Sequence, residues 1–125
     1  MILGVGIDLV NINRIERLLK IWGDRFKKRV FSQGEIDNCE RYERSSERFA
    51  ANFAVKEAFF KAVGGGFKTN IRLLDIEVLR DKYGKPYVNL YGKAKYVSEI
   101  MKMNVIHVSI SHDGDYATAV VVLEG

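Results

Sequence analysis

Cysteine and histidine are nearly missing from this chain, and their scarcity removes several chemistries. Cys39 is the only thiol, so no internal disulfide can form. That usage suits a reducing compartment, and a cytoplasmic location is expected. Two histidines and one cysteine, with no CxxC pair, leave too few ligands for a zinc site. No apolar run reaches the roughly 20 residues that a membrane-spanning helix needs, so no membrane association is expected. The start does not read as a signal peptide, because Asp8 interrupts the apolar segment and no basic region precedes it. Repeats, linkers and low-complexity stretches are also lacking, which points to one domain over residues 1–125. No Walker motif and no Gly-x-Ser-x-Gly elbow occurs, so nucleotide hydrolysis of the P-loop type and serine hydrolysis are not indicated.

What is present is the profile of a folded protein: 47% hydrophobic and 29% charged residues. The formal net charge is +4, and much of the excess falls early, at Arg14, Arg17, Lys20, Arg25, Lys27, Lys28 and Arg29 against Glu16 and Asp24. Such a patch attracts phosphates or an acidic protein, although from charge alone a solvated helix face is the simpler account.

The periodicities divide the chain into short elements. Residues 2–10, ILGVGIDLV, alternate like a strand. Leu3, Val5, Ile7 and Leu9 share one side and are expected to face the core. Gly4, Gly6 and Asp8 share the other, which predicts open space beside the Asp8 carboxylate, since glycine in a strand often marks a close approach. Asn11 is placed to cap a helix to about Trp22. Ser32-Gln33-Gly34-Glu35 fits a capping box for a helix through Ile36, Cys39 and Tyr42. A break near Ser45-Ser46 starts a further helix. Residues 74–80 and 86–90 read as paired strands around a turn, residues 91–101 as a helix, and Val105–Ser111 and Tyr116–Leu123 as two closing strands. Helices followed by hairpins make the class α+β, with helices packed on a small antiparallel sheet.

The segment Ala54–Gly66, AVKEAFFKAVGGG, carries the strongest hint of chemistry. On a helical wheel Phe49, Phe53, Phe60 and Val63 form an aromatic and aliphatic stripe, and Ala51, Ala54, Ala58 and Ala62 form a small-residue face. A helix apolar nearly all round belongs in the interior, so Lys56, Glu57 and Lys61 must be satisfied there. An i,i+4 pair of Glu57 and Lys61 contributes only about 0.2–0.5 kcal/mol, too little to account for them. A buried ion-pair network and a reaction site both remain as explanations. The glycines stop the helix, and their backbone N–H groups, with Lys68, are able to contact a phosphate. His107, Ser109 and Ser111 share one strand face, suited to lining a site rather than to nucleophilic attack.

Four blocks, GVGIDLVNINRI, FSQGE, FAVKEAFFKAVGGG and HVSISHDGDYATAVVV, together resemble the holo-acyl-carrier-protein synthases, the small bacterial phosphopantetheinyl transferases. The resemblance spreads over nearly the whole chain. It implies transfer of 4′-phosphopantetheine from coenzyme A to a serine of acyl carrier protein, release of adenosine 3′,5′-bisphosphate, and a place in fatty acid biosynthesis. It implies Asp8 and Glu57 as Mg²⁺ ligands and Lys61 against the pyrophosphate, these three forming the catalytic set. For coenzyme A it implies Phe53, Lys56, Gly64, Gly65 and Gly66, with Arg44 and Arg48 at the 3′-phosphate. Pro86, His107 and Ser109 would come from a neighbouring chain of a homotrimer whose sites lie between subunits. Arg14, Arg17, Arg25 and Phe26 would dock the acidic carrier, a partner for the basic patch other than nucleic acid. The resemblance leaves the acceptor of the serine proton open, and a metal-bound water assisted by Glu57, or by Glu35, is the expectation. Two positions depart from the pattern: Asn52 stands where a basic residue is common, and Gly65 where threonine is common. The alternatives are a non-catalytic module binding nucleic acid or an acidic protein, and a Mg²⁺-dependent phosphodiesterase.

Overall fold

The computed structural model describes residues 1–65 and 70–125. Strand β1 (Ile2–Asn11) leads into helix α1 (Ile12–Trp22), whose cap is the Asn11 side chain accepting from the N–H groups of Asn13 at 2.9 Å and Arg14 at 3.3 Å. Gly23, at φ 53°, ends that helix. A short helix that the periodicity does not predict, α2 (Asp24–Val30), follows within the basic stretch. Helix α3 (Gln33–Glu40) begins at the expected capping box, with Ser32 and Glu35 each bonding the other's backbone N–H. It stops before Tyr42, which is exposed. Helix α4 (Ser45–Val63) is the central element. After it come a 3₁₀ turn (Leu73–Asp75), the hairpin β2 (Ile76–Arg80) and β3 (Pro86–Leu90), helix α5 (Gly92–Met101), and strands β4 (Val105–Asp113) and β5 (Tyr116–Glu124). The main sheet is antiparallel in the order β1-β5-β4, and β2 and β3 form a separate antiparallel pair. The α+β expectation therefore holds.

The sheet's inner face is set by what α4 brings to it. Ala54, Ala58 and Ala62 are buried, as are Ala117, Ala119, Val121 and Leu123 of β5. Opposite the alanines stand Gly4 and Gly6. A Cβ on Gly4 would lie 1.9 Å from the Ala62 carbonyl oxygen, and one on Gly6 would lie 1.9 Å from that of Ala58. Helix backbone thus rests on strand backbone, a contact that only glycine permits.

This corrects the sequence reading of β1 in two respects. The glycines do not open space beside Asp8, because α4 occupies it. And the supposed core face points outward: Val5, Ile7 and Leu9 are 60%, 64% and 64% exposed. Val122 and Val120, the register partners of Val5 and Ile7 on β5, are only half-buried on the same side. The outer face of the sheet is an apolar surface that no element among the described residues covers.

The second support is electrostatic. Lys56, on the opposite side of α4, is completely buried. Its ammonium group donates to Glu35 Oε1 at 2.8 Å, to the Leu73 carbonyl at 2.9 Å and to the Ile76 carbonyl. Asn52, also fully buried, donates to Glu35 Oε2 at 3.1 Å and the Val78 carbonyl at 3.2 Å, and accepts from Arg80 Nη1 at 2.8 Å. Burial raises the Glu35 pKa and lowers that of Lys56, and the attraction between the two charges opposes both effects. Lys56 therefore ties α4 to α3 and β2, and the expectation that it lines a coenzyme pocket fails because no part of it reaches the surface. Glu35, equally enclosed, is likewise unable to take a proton from a substrate.

Two stability outcomes follow from these contacts. Gly6→Ala should destabilise the fold by about 3 kcal/mol in urea unfolding, through overpacking against immovable backbone, whereas Gly84→Ala, with φ 83° and nothing within 4 Å of its new Cβ, should cost about 1 kcal/mol. Lys56→Met should cost roughly 3–5 kcal/mol by leaving Glu35 buried and unpaired. Adding Glu35→Gln to it should restore most of that loss, and a double-mutant cycle reads the coupling.

Candidate active site

Asp8 sits on the α4 side of β1, two positions beyond Gly6, where close packing brings the helix within reach. Its carboxylate is 15% exposed, and Oδ1 accepts from Lys61 Nζ at 3.0 Å. The same ammonium donates to the Ile7 carbonyl at 3.0 Å, and Thr118 Oγ1 donates to the Asp8 carbonyl at 2.8 Å. Lys61 itself is exposed at the last turn of α4. Glu57, half-buried, lies one turn earlier on that helix, at i,i+4 from Lys61. The donor chemistry of two carboxylates is hard oxygen, which fits Mg²⁺ completed by waters and substrate phosphates. Among the described residues no three His, Cys, Asp or Glu side chains converge.

Gly64, at φ 87°, caps α4, its N–H donating to the Phe60 carbonyl at 3.1 Å; Gly65 is exposed beside it. Gly66 and Lys68 lie outside the described residues. Phe53 is half-buried on α4.

A second group of expected residues lies elsewhere on the surface. Arg44 is exposed and pairs with Glu47 at 3.5 Å. Arg48 lies flat over the Tyr42 ring, 3.8 Å from its centroid. Next to it, a cavity of about 210 Å³ is lined by Arg48, Arg80, Pro86 and His112, among others. His112 is 3.3 Å from Glu47. Partial burial, followed by the adjacent Arg48 charge, lowers the Arg80 pKa. Sequence reasoning missed Arg80 and His112 here. The only signal was the strand register, which sends Arg80 toward α4 from a hairpin far away in sequence.

His107 and Ser109 are on the outer face of β4, opposite Val122 and Val120. His107 contacts Glu124 at 2.8 Å and shares a cavity of about 480 Å³ with Pro86. Asp8 pairs in register with Ala119, whose side chain is buried under α4. His107 and Ser109 are therefore on the opposite face of the sheet from Asp8, and one chain does not bring the two groups together.

The basic patch has a definite shape. Arg14 and Arg17 are exposed along α1. Arg25, on α2, reaches over the Trp22 ring at 5.8 Å, and Phe26 packs edge-on against Phe31 at 5.9 Å. Leu18, Trp22, Arg25, Phe26 and Arg29 enclose a cavity of about 320 Å³. Its floor is apolar and its rim cationic.

Known proteins are similar to this chain over nearly its whole length. The family description "4'-phosphopantetheinyl transferase superfamily" matches residues 4–121. A holo-[acyl-carrier-protein] synthase of Syntrophus aciditrophicus is 46% identical over 125 residues, covering 100% of this chain and 98% of its relative. The crystal structure of Helicobacter pylori holo-[acyl-carrier-protein] synthase in complex with coenzyme A superposes with a TM-score of 0.83 at 34% identity, over 96% of this chain and 99% of the other. That of the Bacillus anthracis enzyme in complex with CoA (3',5'-ADP) gives 0.79 at 38% identity, over 98% and 96%. Chains so alike over their whole length share a family, and this protein belongs to the 4'-phosphopantetheinyl transferase superfamily as an enzyme of its holo-[acyl-carrier-protein] synthase group.

Proposed function

We propose that the chain moves 4′-phosphopantetheine from coenzyme A to a serine of an acidic acyl carrier protein. The observation that carries this reading is the Asp8–Lys61 contact at 3.0 Å on the α4–β1 seam, with Glu57 one turn away. A serine oxygen of the carrier attacks the β-phosphorus of coenzyme A, the bond from that phosphorus to the bridging oxygen breaks, and adenosine 3′,5′-bisphosphate leaves. Because the nucleophile belongs to the partner, this chain needs none. Asp8 and Glu57 would hold Mg²⁺, whose charge offsets that developing on the pyrophosphate. Lys61 adds a positive charge on the same seam, in balance with Asp8 until phosphate arrives. Glu57, half-buried and close to solvent, is the carboxylate left to assist loss of the serine proton, since Glu35 is enclosed.

Assembly as a homotrimer completes the reading. The uncovered apolar face of Val5, Ile7 and Leu9 calls for a partner surface. Sites between subunits would bring Pro86, His107 and Ser109 of one copy to coenzyme A held at Asp8 of the next. The cationic rim at Arg14, Arg17 and Arg25, with Phe26 in the apolar floor, fits an acidic helix of the carrier. A cytoplasmic role in fatty acid biosynthesis follows from that carrier.

Incubation with coenzyme A, Mg²⁺ and apo carrier, read by intact mass, should add one phosphopantetheine to the carrier. No adduct with any of several carriers would overturn the proposal, and hydrolysis of coenzyme A without carrier would favour a phosphodiesterase. Glu57→Gln should reduce turnover by about 100-fold or more while the melting curve stays unchanged. Ile7→Glu should lower the molar mass seen by light scattering from three chains to one, and persistence of the trimer would place its interface elsewhere.

A further inference from the structure

Asp8 already has a cation beside it. Lys61 Nζ stands 3.0 Å from its Oδ1, and the same ammonium donates to the Ile7 carbonyl at 3.0 Å. The strand side of this contact is fixed. Thr118 Oγ1 donates to the Asp8 carbonyl at 2.8 Å, and the register with Ala119 holds the backbone in the sheet. The root of Lys61 is fixed as well. It lies between Ala58 and Ala62, whose carbonyl oxygens face Gly6 and Gly4 with no room for a Cβ. Separating the two charges by moving the helix would break that backbone contact.

The tip of the lysine is different. Its side chain is 56% exposed, against 15% for Asp8. A flexible four-carbon stem lets the ammonium swing away while the helix stays in place. The pair is therefore held ready at both roots and opened by side-chain rotation alone.

A divalent cation on either oxygen of Asp8 would lie within about 4–6 Å of this ammonium, the range over which one charge alters the binding of another. In the free chain that cation must displace Lys61 or bear its repulsion. Solvent around the exposed ammonium weakens the effect to about tenfold in affinity. A diphosphate reverses the sign, because its oxygens take over Lys61 and release Asp8 as a ligand.

We infer that Lys61 is a resident counter-ion of Asp8 that couples the divalent cation to the coenzyme's pyrophosphate, so that each binds weakly without the other. The identity of the anion rests on the transfer reading; the exclusion of metal from Asp8 in the free chain does not. Coupling of this kind is reciprocal, so the factor that coenzyme A adds to metal affinity is the factor that metal adds to coenzyme affinity.

Mn²⁺ is the probe, with the free ion counted by electron paramagnetic resonance and the binding of Mn²⁺ to coenzyme A alone subtracted. Saturating coenzyme A should raise the affinity of the wild-type chain for Mn²⁺ about tenfold or more. Lys61→Met should bind Mn²⁺ about tenfold more tightly than wild type when no coenzyme is present, and coenzyme A should then add less. Lys61→Arg, which keeps the charge, should behave as wild type. Should Lys61→Met fail to fold, as read by its melting curve, Lys61→Gln carries the same comparison. Mn²⁺ binding to the free chain that is no tighter without the lysine charge, or a wild-type affinity that coenzyme A leaves unchanged, would overturn the inference. Tighter Mn²⁺ binding by Lys61→Met without transfer to any carrier would sink the transfer reading and leave the counter-ion role standing; transfer with no effect of Lys61 on Mn²⁺ would do the reverse.

Discussion

Everything at the candidate site depends on how closely α4 lies against β1. The alanine face of the helix meets two glycines of the strand with no side chain between them. That contact brings the end of α4 near enough for Lys61 to reach Asp8. A strand with side chains at positions 4 and 6 would hold the helix off by the thickness of a side-chain layer. The Asp8–Lys61 contact is thus a product of backbone packing before it is a matter of charge.

The three charges of AVKEAFFKA have different roles because a helix presents them to different surroundings. Lys61, at the last turn, stays in contact with water. Glu57 lies at the edge of the seam. Lys56 faces the interior, where one carboxylate and two carbonyls surround it. A buried ion-pair network accounts for Lys56, and Glu57 and Lys61 are left to the proposed reaction site. The network extends through Glu35 and Asn52 to Arg80, so the element that stiffens the interior also aims a cation at the surface. The basic residue expected at position 52 is absent, and a guanidinium arrives at that part of α4 from β2 instead.

Much of the local structure was legible in the sequence because it is determined locally. Asn11 and the Ser32–Glu35 box act on N–H groups within three residues, and the alternation of the closing strands is a property of the strands themselves. Helix α2 escaped notice because seven mostly charged residues have no apolar period to read. The outward turn of Val5, Ile7 and Leu9 was missed for a deeper reason. Alternation reports that a face is apolar, not that its own chain covers it. Lys56 and Arg80 were misjudged or overlooked because their partners, Glu35 and Asn52, meet them only through tertiary packing. Asp8 and Lys61 stand 53 positions apart in the chain, and their meeting needed the structure.

The glycine contact also has a genetic consequence. Every amino acid that can replace glycine brings at least a Cβ, and at Gly4 and Gly6 a Cβ would sit 1.9 Å from a helix carbonyl. Unlike an ordinary core position, where one aliphatic residue substitutes for another, these two have no conservative neighbour in the genetic code. Any missense change there lands on the helix backbone itself. Variation in this chain is therefore halted at Gly4 and Gly6, two positions that have no side chain to vary.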